Sequence, residues 1–166
     1  MALVESFLNV FLIQDFVGTP TVLIGVATTV MCLFEIPVFK YVSRLWTGRR
    51  NGLVNVLLGA ELLLAVRCLL YMVVPRSYPW LVLAVEPLHG ITFAAMWSAT
   101  VEYARRLAKP GTEAKLQALV NGLFYQISFG AGSFVWGHLV QRPPRGLGFS
   151  RCFLLDAGLI LSWLVV

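Results

Sequence analysis

Residues Glu86 to Glu102 read EPLHGITFAAMWSATVE, inside a run from Tyr78 to about Ala104 that is otherwise apolar enough to cross a bilayer. A chain of 166 residues offers little interior in which to hide so long an apolar run. Yet the run carries a carboxylate, Glu86, followed closely by Pro87, His89 and Gly90. An ionisable group is costly in hydrocarbon, so it faces other helices or a watery cavity and finds a partner there. The rest of the chain must then supply both the surrounding helices and a balancing charge.

Composition agrees. The chain is 58% hydrophobic and 13% charged, with eleven phenylalanines and a mean hydropathy of +0.80. Soluble domains are about half apolar and roughly a quarter charged, so both values point to a membrane protein. The net charge of +5 is spread over short basic clusters between apolar runs. No basic face interleaved with aromatics is present to grip phosphates, so nucleic acid is not an expected partner. Cys32, Cys68 and Cys152 lie within apolar segments at no metal-ligand spacing, which reads as buried thiols and not as a disulfide framework.

Divided at its Gly, Pro and charge clusters, the chain reads as an all-α, polytopic transmembrane bundle of about six helices in a single domain. The expected spans are 2–16, 21–45, 53–74, 79–104, 116–140 and 149–166. The first lacks a basic leading region and a small-residue cleavage site, so it is not read as a signal peptide. It is also short for a span of about 20 residues, and reads as the latter part of a helix in a partial chain. Trp80, just after Pro75-Arg76-Ser77-Tyr78-Pro79, stands where an interfacial aromatic belongs. Lys40, Arg44, Arg49 and Arg50 surround the second connection, and Arg105, Arg106, Lys109 and Lys115 the fourth. The third has Arg76 alone, and the last has Arg142 and Arg145 with Arg151 just beyond. Lys and Arg accumulate on the cytoplasmic side, so the second and fourth connections are expected there, together with both chain ends.

Antiparallel neighbours joined by a short turn place residues equidistant from that turn at one depth. Arg67 and Glu86 each lie roughly 14 Å of helix rise from the turn at Arg76-Ser77, at about 1.5 Å per residue, and read as a buried pair. The pair either holds two helices together or takes part in function. The same construction about Gly48 sets Glu35 level with Glu61 near mid-membrane. Glu35 also precedes Pro37, where a kink is expected, and either braces that kink or carries a proton. Glu61 reads as a proton-coupling candidate or as a neutral acid facing a neighbouring helix. His89 follows Glu86 by one turn, a spacing that suits a proton relay or a simple hydrogen bond. Glu102 and Arg106 at i,i+4 read as a structural pair at the cytoplasmic end.

Gly90, Ala94 and Ser98 recur every fourth residue, a small-residue seam for close helix approach. On the fifth helix, Asn121, Tyr125, Ser128 and Gly132 form one polar stripe that Gln117 continues, and it is expected to line a cavity or to hold helices together. Trp97, on the face of Glu86, Gly90 and Phe93, stacks a ligand ring or packs. No Gly-rich phosphate loop, GxSxG elbow or HExxH occurs, and His89 and His138 have no metal-ligand company. The chain is therefore not expected to be an enzyme, and no catalytic residue, metal or cofactor is expected.

Taken together these features resemble the C-terminal half of a major facilitator superfamily transporter. More narrowly they resemble the branch around major facilitator superfamily domain-containing protein 6, related in pattern to sugar and nucleoside proton symporters. The resemblance is carried by Phe34-Glu35-Ile36-Pro37, by Arg67 with Leu69-Leu70-Tyr71, and by Pro79-Trp80. Its most specific block is Glu86-Pro87-Leu88-His89-Gly90-Ile91-Thr92-Phe93-Ala94 with Trp97 and Tyr103, and it covers roughly residues 7–140. The superfamily's cytoplasmic loop signature survives as Gly48-Arg49-Arg50, while Leu45 and Trp46 occupy its acidic and first arginine positions. Gly111-Thr112-Glu113 with Lys115 and Gln117 is a looser match to the start of the branch's next-to-last helix.

The resemblance implies a twelve-helix fold of two six-helix halves, of which this chain is one. In that fold the solute path lies between the halves, and access alternates as they rock. The expected function is therefore the C-terminal half of a secondary active transporter, with proton-coupled symport of a small polar solute as its finer form. The alternatives are a non-transporting membrane interaction or receptor-like protein, a half-transporter that dimerises, and an inactive fragment. Expected partners are the lipid bilayer, a small-molecule substrate, and the N-terminal half or a second copy. Among the carboxylates Glu35 is the first candidate for the coupling group, because an adjacent Arg67 would hold Glu86 ionised.

Overall fold

The computed structural model describes residues 1–16, 18–141 and 144–165, with the backbone alone at Tyr125. Among these residues every regular element is helical, and the chain is an all-α bundle. Helix α1 spans Ala2–Asp15 and α2 spans Thr21–Tyr41, with Pro37 inside it. A short helix α3, Ser43–Trp46, precedes the turn at Gly48, whose φ of 73° is a left-handed conformation that glycine adopts without a steric penalty. Helix α4 covers Gly52–Val73.

The fourth apolar run, expected as one piece over 79–104, is two. Pro79–Ala84 is a 3-10 helix, and α5 begins afresh at Glu86 and continues to Leu107. Pro87 explains the break. It has no N–H to donate to the preceding turn, so it sits in the first turn of an α-helix, where that hydrogen bond is not needed. The consequence is that Glu86 lies at a helix N-terminus, where the backbone dipole favours negative charge.

The fifth run is also composite. Helix α6, Glu113–Asn121, passes through a π-helical stretch, Gly122–Ser128, into α7, Phe129–Leu139. Helix α8, Phe149–Val165, completes the bundle. Among the described residues three helices are long and apolar enough to cross a membrane: Thr21–Tyr41, Gly52–Val73 and the combined Pro79–Leu107. Large apolar side chains such as Ile13, Leu33, Ile36, Leu62 and Phe134 point outward. Such a surface suits lipid and would be a liability in water. The chain is a membrane protein.

Helix α5 packs against α2 on one side and α4 on another, α4 also packs against α8, and α1 lies against α7 and α8. Gly90 marks the closest approach of α5 to α2, because a Cβ there would run into the backbone carbonyl of Met31 and lie 3.1 Å from the amide nitrogen of Glu35. Ala94, one turn on, is fully buried, so this part of the small-residue seam is a helix contact. On the other side Ser6 of α1 meets Ser133 of α7, oxygen to oxygen at 2.7 Å. The main core gathers around Phe11, whose ring contacts Phe16 at 5.3 Å, Phe149 at 5.3 Å and Phe153 at 5.0 Å. Arg76 closes this end of the bundle. Its guanidinium lies 4.6 Å from the Phe11 ring and donates to the Tyr71 carbonyl at 3.1 Å and the Ser150 hydroxyl at 3.2 Å.

Candidate functional site

The restart of α5 delivers Glu86 and His89 into the interior, where α4 supplies Arg67 and Tyr71 one turn apart. Arg67, Tyr71 and Glu86 are all at most 1% exposed. Nε of Arg67 donates to the Tyr71 hydroxyl at 3.2 Å, and that hydroxyl donates to Oε1 of Glu86 at 3.0 Å. The arginine and the glutamate expected as a pair are thus joined through a tyrosine. The guanidinium also lies 5.6 Å from the centre of the Tyr71 ring.

His89 sits between two carboxylates. Its Nδ1 is 3.4 Å from Oε2 of Glu86, one turn earlier, and its Nε2 is 2.7 Å from Oε1 of Glu5 on α1. Glu5 in turn faces Nη1 of Arg67 at 3.6 Å. Five side chains from three helices therefore share one buried network: Glu5, Arg67, Tyr71, Glu86 and His89. A neutral imidazole has one N–H and can donate to only one of its two carboxylates, whereas the imidazolium can donate to both. Charge follows the same logic. Two carboxylates and one guanidinium leave a net negative charge, which a proton on His89 balances. In a low-dielectric setting such a balance is worth more than in water.

The other predicted residues fall around this centre. Glu35 is half-buried on α2, on the stretch whose backbone meets Gly90 of α5. Glu61 faces elsewhere, into a cavity that α4 and α5 share with α8; α5 separates it from much of α2, so depth alone was a poor guide to contact. Trp97 stacks parallel to Phe93, with ring centres 6.5 Å apart and planes 2° from parallel, and its ring is 6.1 Å from Phe124. Gln117 donates to Asn121 at 3.1 Å, so the polar stripe is partly self-paired. Gly132 meets Ala2 of α1, which makes that end of the stripe a helix contact. The side chain of Tyr125 lies outside the described residues, and so does Arg142 of the last loop. Of the loop motif, Arg49 borders an apolar groove of about 650 Å³ between α2, α4 and α5. Gly48 shapes the turn, and Arg50 borders a small hollow near Tyr103 and Arg106 at the end of α5. Glu102 binds Arg105 and Arg106 at 2.8 Å each.

Glu5, Tyr71, Thr92 and Asp156 were not named as site residues from sequence, although Tyr71 and Thr92 lie in the blocks that carry the resemblance, and all four have buried polar atoms. Glu5 had a signal, a carboxylate alone in an apolar segment. Tyr71 had another, a hydroxyl four residues after a buried arginine. Asp156 accepts from the Cys68 thiol at 3.6 Å. Among the described residues no group of three or more His, Cys, Asp or Glu side chains is placed to hold a metal ion.

Comparison with known proteins gives a family. A family model described as "MFS_1 like family" matches residues 1–145. The chain is similar to major facilitator superfamily domain-containing protein 6-like protein A of Xenopus laevis, 30% identical over 103 residues, which is 62% of this chain and 16% of the relative. Protein B of the same organism is 30% identical over 88 residues, 53% of this chain and 14% of the relative. The human protein named major facilitator superfamily domain-containing protein 6-like is 36% identical over 86 residues, 50% of this chain and 15% of the relative. The chain thus matches only a small part of each of these relatives. No solved structure matches it.

Proposed function

The chain belongs to the MFS_1 like family, and from that premise we propose that it forms part of one half of a secondary transporter that moves a small polar solute in company with protons. The observation that carries the reading is His89 held at 2.7 Å and 3.4 Å from two carboxylates of different helices, beside a fully buried arginine. Ionisable groups inside a spanning bundle are costly, and in transporters they mark ion or substrate routes. A histidine between Glu5 and Glu86 suits a proton carrier because its charge change falls in the physiological range when unperturbed. Moving α1 relative to α5 would open the contact between Glu5 and His89 and change the number of carboxylates that hold the proton. That couples protonation to the movement of helices, which alternating access requires.

Glu35, on the stretch of α2 that meets Gly90 next to His89, is the second carrier in this reading. The six spans, the cytoplasmic placement of the loops at Arg49 and Lys109, and the use of a second half all belong to the same proposal. The test uses the complete protein in liposomes, screened with a panel of small polar solutes under an imposed pH gradient. Accumulation of a solute driven by the gradient is expected. His89→Gln should abolish that accumulation and leave solute exchange at equal pH intact. Accumulation with normal pH dependence in His89→Gln would show the network to be structural.

A further inference from the structure

A second polar centre lies apart from the histidine network. Helix α5 turns once beyond His89 to Thr92, and α4 reaches Glu61 six residues before Arg67. Both border a cavity of about 420 Å³ between α4, α5, the π-helical stretch and α8, with Met1 at the start of α1 also on its wall. Thr92 is 1% exposed and its hydroxyl has no hydrogen-bond partner among the described residues. Oε2 of Glu61 is likewise buried and unpartnered. A threonine in a helix ordinarily satisfies its hydroxyl on the carbonyl one turn back, as Thr28 does on Ile24 at 3.0 Å and Thr29 on Gly25 at 2.9 Å. Thr92 does not. Two unpaired polar atoms in an otherwise apolar cavity carry a desolvation cost that a hydrogen-bond donor placed between them would remove.

The remaining lining tells what kind of donor. Leu64 and Met96 give apolar walls, and Phe124 and Trp163 give aromatic ones. Carboxylate, hydroxyl and aromatic faces attract a cation that donates hydrogen bonds, while the apolar walls take a hydrocarbon body. An anion would meet Glu61 directly, and a ligand without a donor would leave both oxygens unpaired. Trp163 is mostly exposed on α8, so the cavity opens toward the lipid side of the bundle. An amphiphilic amine partitions into lipid and can enter by that route.

We propose that the cavity between Glu61 and Thr92 is a binding site for a small organic amine, a single ammonium on an apolar, aromatic-sized body. The ammonium sits between Oε2 of Glu61 and the Thr92 hydroxyl, and the body lies against Phe124 and Trp163. The site is a property of this bundle and holds whether or not the chain transports anything, so its test reads binding alone.

The purified chain in zwitterionic lipid nanodiscs is titrated calorimetrically with 2-phenylethylamine, with 2-phenylethanol as neutral probe and 3-phenylpropionate as anionic probe. Saturable binding of the amine is expected, with the alcohol weaker by about tenfold because it offers Glu61 a neutral donor in place of a cation, and the anion weaker still. Glu61→Gln should weaken the amine by about tenfold while affecting the alcohol much less, since only the amine loses an ion pair. Thr92→Val, which keeps the shape of the side chain, should weaken the amine several-fold and serves as the test if Glu61→Gln does not fold. Leu64→Trp, which fills the cavity, should remove binding altogether. Equal binding of amine and alcohol, non-saturable uptake of all probes into the disc, or indifference to Thr92→Val would each overturn the proposal.

Discussion

Tyr71→Phe is the sharpest probe of the histidine network, because it deletes one oxygen and changes little else. That oxygen receives a hydrogen bond from Arg67 at 3.2 Å and gives one to Glu86 at 3.0 Å. With the hydroxyl gone, a guanidinium donor and a carboxylate acceptor are left without that partner where exposure is 1% or less. An unsatisfied buried group costs about 1–3 kcal/mol, more when charged, so two of them predict a loss of about 2–6 kcal/mol. The matched control is Tyr78→Phe, at a residue 65% exposed, where the change should be close to zero. Reversible unfolding of the purified chain in mild detergent, followed by circular dichroism, reads both.

The same substitution decides how Arg67 and Glu86 communicate. Arg67→Ala and Glu86→Ala should each be strongly destabilising, because each leaves a partner charge buried. Their effects should couple by roughly 0.5–3 kcal/mol, as for residues in one network. If the coupling runs through the tyrosine, it should nearly vanish in a Tyr71→Phe background. Persistence of the full coupling there would refute the bridged arrangement and restore a direct ion pair.

Two further outcomes concern the helices themselves. Gly90→Ala should destabilise by about 3 kcal/mol, since the new methyl meets the Met31 backbone and a carbonyl cannot be repacked as a side chain can. Gly59→Ala, at a helical glycine with nothing within 4 Å of the added carbon, should instead be neutral or gain up to about 1 kcal/mol from helix propensity; the same unfolding assay compares them, and equal losses would contradict the packing of α5 on α2. A glycosylation site inserted at Ser77 should be modified in microsomes while one at Gly48 is not, and the reverse result would invert the proposed orientation.

The apolar character of the chain and its helical class were legible in sequence because a bilayer leaves few options. Backbone polar groups must be satisfied within the segment, so apolar runs of that length become helices. Contacts between helices were less legible. Hairpin symmetry gives depth, and depth correctly suggested that Arg67 and Glu86 belong to one neighbourhood. It does not give the direction in which a side chain faces. Glu35 and Glu61 share a depth in that construction, yet Glu61 borders the cavity toward α8 and Glu35 lies where α2 meets Gly90 of α5. Glu5 was hidden for a related reason: its partners are on helices more than sixty residues away in sequence, and no turn relates them.

Pro87 ties these observations together. Had the fourth run continued as a single α-helix, Glu86 would have been one more costly carboxylate in its middle. Because Pro87 withholds a backbone hydrogen bond, the helix ends at the 3-10 stretch and starts again at Glu86. The carboxylate then benefits from the dipole of a new helix and from a tyrosine hydroxyl, while its own helix presents His89 one turn later to Glu5. The position of one proline thus supports both the acid and the base of the network. Pro87→Ala should therefore do more than straighten a helix: it should loosen the hold on Glu86 and so weaken the coupling between Glu86 and Tyr71 in a double-mutant cycle. An unchanged coupling in that variant would show that neighbouring helices, and not the helix restart, position the carboxylate.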